Sequence, residues 1–213
     1  MSHPKDARAG LDPLRGATDS MNVRSELDAL RGEMDRLAAE LTEMRAHVSL
    51  LESLAQEDPL TGLLNRRGFF RDLARAVAYR NRYGTSVSVL LADLDAFKPI
   101  NDGYGHEIGD KALVHVAALL RTNVRASDSV GRLGGDEFGI ILWHADEPAA
   151  KQKAMSLEGM VAASPLTADG LALSLGASVG VAALEEGDRA EDALARADRA
   201  MYARKKERQR PGR

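Results

Sequence analysis

The chain of 213 residues contains no cysteine, and aromatic residues make up only 4% of it. Without cysteine the protein can form no disulfide and no thiolate metal site, and it has no cysteine nucleophile. Because aromatic residues are scarce, aliphatic side chains must build the hydrophobic core. The formal net charge of −3 is too small to indicate a surface for nucleic acid or for an anionic membrane.

The sequence also lacks long apolar runs. No stretch approaches the roughly 20 apolar residues that a helix needs to cross a bilayer, and the first residues lack the apolar core of a signal peptide. Its composition is typical of a globular protein, with 44% hydrophobic and 29% charged residues. These features predict a soluble cytoplasmic protein with no membrane or nucleic-acid partner.

Four segments of the sequence differ in their patterns. Residues 1–20 are rich in Gly, Pro, Asp and Arg without periodicity, which predicts a disordered arm. Residues 21–57 predict a long helix that Pro59 prevents from continuing. Residues 58–205 alternate between helical and strand patterns and predict a globular domain, and residues 206–213 form a short basic tail.

A heptad repeat runs through the predicted helix for about four heptads. One apolar position of the repeat holds Leu27, Met34, Leu41 and Val48, and the other holds Leu30, Leu37, Met44 and Leu51. Most of the residues between them are charged, which favours a coiled coil that joins two chains in a homodimer. The alternative is an amphipathic helix that packs on the chain's own domain, and the orientation of the paired helices stays open.

The globular segment predicts an α/β fold, because strand patterns are interleaved with helical ones. Helical patterns cover Phe69–Tyr83, Ile108–Arg125, Pro148–Ala163 and Arg189–Lys205. Strand patterns cover Ser86–Asp93, Ser129–Leu133 and Phe138–Trp143, with one or two further strands within Leu171–Ala183. Gly134 and Gly135 fit a tight turn between two of these strands, so at least one pair is antiparallel and the sheet is predicted to be mixed.

Acidic side chains stand at the ends of two predicted strands. Asp93 ends a buried strand and Asp95 follows it, while Asp136 and Glu137 come directly after the two glycines of the turn. If the two strands are neighbours, Asp93 and Asp136 converge, and such oxygen ligands from separate strands suit Mg²⁺. Two carboxylates of this kind can bridge two metal ions that activate an attacking hydroxyl. The alternative is that the carboxylates of the turn are simply solvated.

Five segments occur in the order DPLTGLLNRRGF, LLADLDAFKPINDGYGHEIGDKAL, RLGGDEFGIIL, SVGVA and ADRAMYARKK. In this order they resemble the GGDEF-domain diguanylate cyclases, and the resemblance covers the whole globular segment. It implies a fold akin to nucleotidyl cyclases and polymerase palm domains, with a mixed central sheet flanked by helices. It also implies a bacterial enzyme that condenses two GTP molecules into cyclic di-GMP and releases two pyrophosphates across a homodimer.

The resemblance assigns metal and catalytic roles by position. Asp93, Asp136 and the backbone carbonyl of Leu94 match the ligands of Mg²⁺, with two ions in each active site and Mn²⁺ as a substitute. Glu137 supports the metal shell. Asp136 is also a candidate to deprotonate the ribose 3′-hydroxyl, although a metal that lowers the pKa of this hydroxyl is sufficient in principle. Asp136, Glu137 and Lys98 make up the implied catalytic group.

Nucleotide-binding roles follow from the same resemblance. Asn101 and Asp110 match the residues that read guanine. An ionised Asp accepts from both N1–H and the amino group of guanine, whereas adenine would leave it facing an acceptor. Lys98 and Lys205 are candidate cations for the phosphates, and His106 is a candidate contact of the nucleotide.

The resemblance also bears on an inhibitory site and on the last helix. Arg125 and Asp128 form an Arg-x-x-Asp sequence upstream of the GGDEF motif, where many family members bind their product as an inhibitor. The alternative is an ion pair at an exposed helix end. The sequence KKERQRPGR places Arg208 and Gln209 where the family often has Gly-Arg, so the usual phosphate-binding arginine is missing. Arg208 and Arg210 are candidates to replace it.

Two other functions account for parts of the sequence. A catalytically silent domain of this family would sense GTP or cyclic di-GMP, but the metal-binding and guanine-reading roles are filled by Asp93, Asp136, Asn101 and Asp110. A structural coiled-coil protein would leave the acidic and guanine-reading residues unexplained. If two domains face each other in a dimer, a hinge must follow the coil, and we expect it at Asp58 to Gly62. His115 is interpreted as a packing residue.

Overall fold

The protein is described from a computed structural model, which covers residues 13–54, 56–168 and 170–209. The chain divides into two compact units, Met1–Leu54 and Ala55–Arg213. The described part of the first unit is the helix α1, Pro13–Leu54. Because α1 begins at Pro13, the prediction of a disordered arm is corrected for residues 13–20. Residues 1–12 lie outside the described part. A proline is favoured at the first position of a helix, because its missing N–H is not needed there.

The apolar residues of the heptad repeat in α1 are all exposed in the single chain. Their exposed fractions lie between 48% and 70%: Leu27, Leu30, Met34, Leu37, Leu41, Met44, Val48 and Leu51. A stripe of this kind, sustained along a 42-residue helix, is the pattern that a second helix covers in a coiled coil. The pairing itself stays a prediction.

The second unit alternates helices and strands, as the sequence predicts. Its helices are α2 (Arg66–Tyr83), α3 (Phe97–Tyr104), α4 (His106–Thr122), α5 (Glu147–Ala163) and α6 (Ala190–Gln209). Its strands are β1 (Val87–Asp95), β2 (Ser129–Gly134), β3 (Glu137–Trp143), β4 (Leu166–Ala168), β5 (Leu171–Leu173) and β6 (Gly176–Ala183). The α/β class is therefore confirmed. Among the described residues, no helix combines the length and apolar character that crossing a membrane requires.

The main sheet has the strand order β2-β3-β1-β6, and β4 pairs with β5 in a small second sheet. All three pairings of the main sheet are antiparallel, which corrects the prediction of a mixed sheet. The reason is that β3, the second strand of the hairpin, lies between β2 and β1 and pairs with both in the antiparallel direction. Strands β1 and β2 run parallel to each other, but they are not neighbours. The described parallel pairing is an isolated bridge between Leu64 and Gly131.

Strand β1 lies in the middle of the sheet, and its side chains alternate between two hydrophobic cores. One core packs under α4 and α5 and the other under α2 and α6. The side chains of β1 in the first core are Leu90, Ala92 and Leu94, and those in the second are Val87, Val89 and Leu91. Because both faces of β1 are covered by helices, its end is held firmly where the acidic residues begin.

Helix α2 fixes the hairpin from the second face of the sheet. Asn65 caps the helix by accepting a hydrogen bond of 2.9 Å from the N–H of Gly68. The ring of Phe69 then lies directly on Gly139 of β3, where a Cβ atom would come within 2.5 Å of it. Only glycine fits at this contact, which places the hairpin close to α2.

Several boundaries differ from the sequence-based predictions. Helix α3 was not predicted, because it is short, contains Pro99 and Gly103, and buries none of its residues. Strand β4 was also missed. Helix α6 continues to Gln209, so it includes the first part of the predicted basic tail, and residues 210–213 lie outside the described part.

Candidate active site

The end of β1 and the turn of the β2–β3 hairpin meet at one edge of the sheet. Asp93 pairs with Glu137 in the antiparallel register, and the N–H of Leu94 donates to the backbone oxygen of Asp136 at 3.3 Å. Gly134 and Gly135 form the turn with φ values of 150° and 54°, which favour glycine. The structure thus brings Asp93 and Leu94 next to Asp136 and Glu137.

The carboxylates at this edge repel one another. Burial raises the pKa of Asp93, and the negative charges of Asp136 and Asp95 raise it further, against the effect of Lys205. Burial likewise raises the pKa of Glu137, together with the charges of Asp93, Asp136 and Asp198. Functional sites often contain neighbouring carboxylates whose pKa values are raised in this way.

Lys205 reaches this edge from α6. Its ammonium group forms a short ion pair with the carboxylate of Asp93, whose side chain is only 13% exposed. Burial would lower the pKa of Lys205, but the hydrogen bond from Lys205 to Asp93 and the nearby acidic charges raise it. The sequence analysis assigned Lys205 to a phosphate and Asp93 to a metal, and the structure brings the two side chains into contact.

Arg208, the candidate replacement for the missing phosphate-binding arginine, lies one turn beyond Lys205. Its guanidinium donates to the backbone oxygen of Ala177 and lies 3.5 Å from the carboxylate of Asp95. Asp95 also accepts a hydrogen bond of 2.7 Å from the hydroxyl of Ser178. Arg208 is therefore close to the site and is bound to protein groups, while Arg210 lies outside the described residues.

The loop before α2 is attached to the turn of the β2–β3 hairpin. Asp58 lies 3.3 Å from the guanidinium of Arg132, whose Nε donates to the backbone oxygen of Gly135 at 2.9 Å. Asp58 also accepts from the N–H and hydroxyl of Thr61 at 2.9 and 2.7 Å. This finding corrects the expectation of a hinge at Asp58 to Gly62, because these hydrogen bonds hold the loop to the domain.

Sequence reasoning missed this connection between Asp58 and the turn. An Asp followed three residues later by Thr is a signal for a side-chain-capped turn, but nothing in the sequence shows that Arg132, 74 residues away, completes it.

The predicted guanine-reading residues lie on α3 and α4, directly after β1. The side chain of Asn101 packs against the backbone of Gly109, where an added Cβ would lie 1.8 Å from its oxygen. Asn101 is thereby placed beside Gly109, the residue that precedes Asp110 in α4. The side chain of Asp110 is exposed. Lys98 and His106 are also exposed, while Asn101 is half-buried. A ligand can therefore reach all four side chains, Asn101 only in part.

The chain enters α3 through a strained residue. Ala96 has a φ of 57°, a left-handed conformation that costs roughly 1–2 kcal/mol for a residue with a Cβ atom. It follows Asp95 immediately and turns the chain from the acidic end of β1 into the helix that carries Asn101. Strain of this kind is commonly retained at functional sites.

Arg125 and Asp128 lie at the turn between α4 and β2, away from the acidic edge. Asp128 accepts from the backbone N–H of Arg125 at 2.9 Å and from that of Trp143 at 3.1 Å. In the described part of the chain the two residues are linked in this way and not by an ion pair between side chains. Arg125 is exposed and lines two cavities, of about 470 and 440 Å³, that meet at this turn.

His115 has a structural contact. Its Nε2 lies 3.0 Å from the backbone oxygen of Ser164, so the side chain joins α4 to the segment after α5. This contact agrees with its interpretation as a packing residue.

The donor groups at the acidic edge fit a divalent cation. Within the described ranges, no three Asp, Glu or His side chains form a metal site by themselves. Mg²⁺ does not require one, because it commonly takes one or two carboxylates and completes its shell with water and substrate phosphates. Burial raises the pKa of both Asp93 and Glu137, and the neighbouring carboxylates raise it further, so a bound cation would favour their ionised forms.

One known protein family matches most of this chain. The profile of the family described as "Diguanylate cyclase, GGDEF domain" matches residues 55–211. The chain belongs to the GGDEF family. Among the relatives of this GGDEF protein are the diguanylate cyclases DgcP of Pseudomonas aeruginosa, 34% identical over 89% of this chain, and DosC of Escherichia coli K12, 39% identical over 75% of it. These matches span only 28% and 36% of the two relatives' own lengths.

Solved structures have the same fold. A sensory box/GGDEF family protein from Caulobacter crescentus superposes with a TM-score of 0.68 at 41% identity, over 72% of this chain and 99% of that one. The coiled coil and GGDEF domain of DgcB from Caulobacter crescentus, in complex with c-di-GMP, gives a TM-score of 0.69 at 27% identity, over 84% of this chain and 95% of that one. Both likenesses fit the α/β fold of the second unit.

Proposed function

We propose that this GGDEF protein is a diguanylate cyclase, which condenses two molecules of GTP into cyclic di-GMP and releases two pyrophosphates. The observation that carries the proposal is the meeting of Asp93 with Asp136 and Glu137 at one sheet edge, beside Lys205. An acidic edge with an adjacent lysine suits a reaction in which a metal-bound triphosphate loses pyrophosphate.

Asp93, Asp136, Glu137 and the carbonyl of Leu94 would hold two Mg²⁺ ions, or Mn²⁺ in their place. The ions would lower the pKa of the attacking 3′-hydroxyl and stabilise charge on the leaving pyrophosphate. Asp136 lies in a turn whose backbone accepts hydrogen bonds from Leu94 and Arg132, which suits it to accept the hydroxyl proton. Its carboxylate stands next to that of Asp93, so a proton there also relieves repulsion.

The phosphates would be bound by Lys205 and Lys98. When the nucleotide enters, Lys205 exchanges its ion pair with Asp93 for phosphate oxygens, and Lys98 approaches from α3. Asn101 and Asp110 would read the guanine edge, with His106 at the start of α4 as a further contact. The packing of Asn101 on Gly109 supports a fixed distance between the two guanine-reading residues.

The product joins two nucleotides by two equivalent bonds, so two domains must each present one GTP to the other. The exposed apolar stripe of α1 supports a homodimer, and a coiled coil would raise the local concentration of the domains to roughly the millimolar range. The segment Asp58 to Gly62 is bonded to its domain, so a rotation that turns the two domains toward each other would have to act before Asp58.

One assay tests the enzyme against a silent nucleotide sensor. The protein is incubated with GTP and Mg²⁺, the product is identified by mass, and Asp136→Ala is measured beside the wild type. We expect cyclic di-GMP from the wild type and none from the variant. GTP binding without turnover in the wild type would identify a sensor and contradict the proposal.

A second assay tests the dimer. Leu37→Gln and Leu41→Gln should make the specific activity depend steeply on protein concentration, because each places a polar group in the apolar stripe. Ala39→Gln, which introduces the same residue at an exposed position outside the stripe, is the matched control. Variants that keep full activity at nanomolar concentration would contradict dimerisation through α1.

Product inhibition would act at Arg125, whose exposed side chain lies between two cavities. Asp128 would act mainly by holding the turn, because it already accepts two backbone hydrogen bonds. Arg125→Ala should keep the reaction linear as cyclic di-GMP accumulates, while the wild type slows. Progress curves that are identical for the two proteins would rule this site out.

A further inference from the structure

The last two turns of α6 have little hydrophobic anchoring. The middle of the helix packs closely on β6, where a Cβ at Gly180 would lie 2.1 Å from the backbone oxygen of Ala197. Met201 is the last buried apolar side chain of α6 among those described, because Tyr202 is 58% exposed and Ala203 is also exposed. Lys205 belongs to these last turns, so polar contacts must determine where its ammonium group lies.

A buried carboxylate on α5 provides one of these contacts. Glu158 is only 5% exposed and accepts a hydrogen bond of 2.9 Å from the backbone N–H of Val179 in β6. Arg204 donates to the same carboxylate from Nη2 at 2.8 Å and from Nε at 3.2 Å. A buried charge is stable only when it is paired and hydrogen-bonded in this way, so Glu158 ties α5, β6 and α6 together.

The direction of each side chain explains why this contact matters for the site. Arg204 and Lys205 are consecutive in a helix and point about 100° apart, so that Arg204 faces Glu158 while Lys205 reaches Asp93. Arg208, one turn after Arg204, lies 3.9 Å from Glu158 and 3.5 Å from Asp95. The Glu158 carboxylate is therefore the buried point about which these basic side chains are arranged.

We infer that Glu158 is a positioning residue that places Lys205 at the active site through its ion pair with Arg204. This inference rests on the proposed function, in which Lys205 exchanges Asp93 for the phosphates. The Glu158–Arg204 pair keeps its partners during that exchange, because Glu158 is buried beneath α6. Glu158 itself does not touch the nucleotide.

The test compares Arg204→Met in two backgrounds. In the wild-type background we expect kcat/KM for GTP to fall roughly tenfold, the scale expected for a misplaced binding group. In a Lys205→Met background the same change should lower kcat/KM by no more than about twofold, because its effect acts through Lys205. Equal losses in the two backgrounds would overturn the inference. Arg204→Lys, which keeps the positive charge, should recover part of the activity.

Arg196→Met provides the matched control. Arg196 lies on the same helix and forms an ion pair of 2.6 Å with Asp188, but this pair is remote in the helix from Lys205. Its loss should lower the thermal stability, as the loss of Arg204 should, and leave kcat/KM within about twofold of the wild type. If Arg196→Met lowers kcat/KM as much as Arg204→Met, general loosening of α6 explains the effect and the inference is overturned.

Hydrogen exchange separates this inference from the proposed function. In the nucleotide-free protein, Arg204→Met and Glu158→Gln should speed amide exchange after Met201 by roughly tenfold, while exchange from Ala193 to Met201 stays unchanged. Unchanged exchange after Met201 would overturn the inference even in an active enzyme. A wild type without turnover would instead refute the proposed reaction and leave the exchange result to decide the placement of Lys205.

Discussion

Two groups of carboxylates in the second unit have opposite surroundings. The pKa of Asp188 is lowered, chiefly by hydrogen bonds from Arg196. Burial would raise the pKa of Asp58, but hydrogen bonds from Thr61 and the charge of Arg132 lower it overall. At the acidic edge, burial and neighbouring negative charges raise the pKa of both Asp93 and Glu137.

The direction of the pKa shift separates carboxylates that stabilise the fold when they ionise from carboxylates whose ionisation destabilises it. A carboxylate with a lowered pKa contributes to stability in its ionised form, whereas one with a raised pKa is destabilising when it ionises. Asp93 is in the second class although it is paired with Lys205. Burial and neighbouring carboxylates thus both disfavour ionisation at the acidic edge, as is common at functional sites.

The largest effect should come from Asp136→Asn, which removes charge from the acidic edge. We expect turnover of GTP to fall by roughly 10³-fold or more, because several kcal/mol of transition-state stabilisation by the metal site are lost. The melting temperature should stay the same or rise, because a charge that raises the pKa of Asp93 is gone. Pyrophosphate release and thermal unfolding measure the two effects, and a variant that melts well below the wild type would break the comparison.

Asp58→Asn should have the opposite profile, with its main effect on stability. Asp58 is 17% exposed and bonds to Thr61 and Arg132, so we expect a loss of about 2 kcal/mol in the free energy of unfolding at neutral pH. Because the pKa of Asp58 is lowered, its contribution is present above the unfolded-state value of 3.8 and disappears as the pH falls through the folded-state value. Urea unfolding at several pH values measures this contribution to the free energy of unfolding.

The control for Asp58→Asn is the pH dependence itself. The gap in stability between the variant and the wild type should narrow in acid, where the wild-type carboxylate is also neutral. A gap that is the same at neutral and acidic pH would show that the amide disturbs the loop by its shape and not by its charge.

The fold and the acidic edge were predictable because both leave local patterns in the sequence. The apolar run of β1 and the two glycines before Asp136 place carboxylates at a strand end and a turn, and the family resemblance then brings them together. Helix α3 was missed because its eight residues show no buried face, and the sheet was misjudged because local patterns do not state which strand lies beside β1.

Contacts between long charged side chains could not be predicted. Glu158 and Arg204 are 46 residues apart, and Lys205 and Asp93 are 112 residues apart, so no local periodicity connects them. Arg204 looks in the sequence like any other basic residue in a helix with a charged end. Its role depends on which side of α6 faces α5, and this is set by the packing of α6 on β6 and the second core.

Asp188→Asn should have a smaller effect on stability than Asp58→Asn. Asp188 accepts from Arg196 at 2.6 and 2.8 Å, but Arg196 is 27% exposed and solvent weakens the pair. We expect a loss of about 1 kcal/mol at neutral pH, with kcat and KM for GTP unchanged. The lowered pKa of Asp188 means that this contribution too is lost in acid. A change in KM would show that structural and functional carboxylates are not separate.

The smallest effects should come from the neighbours of Glu137. Asp198 raises the pKa of Glu137 and Arg66 lowers it, and all three residues line a cavity of about 210 Å³ between α2, α6 and the hairpin. In the metal-free protein, Asp198→Asn should therefore move the titration of Glu137 to lower pH, and Arg66→Gln should move it to higher pH. Carboxyl NMR signals measure both shifts, which should shrink in high salt because Asp198 is exposed. Shifts in the same direction would mean that shape and not charge sets the titration of Glu137, and the acidic edge would then lose its distinction from the structural ion pairs.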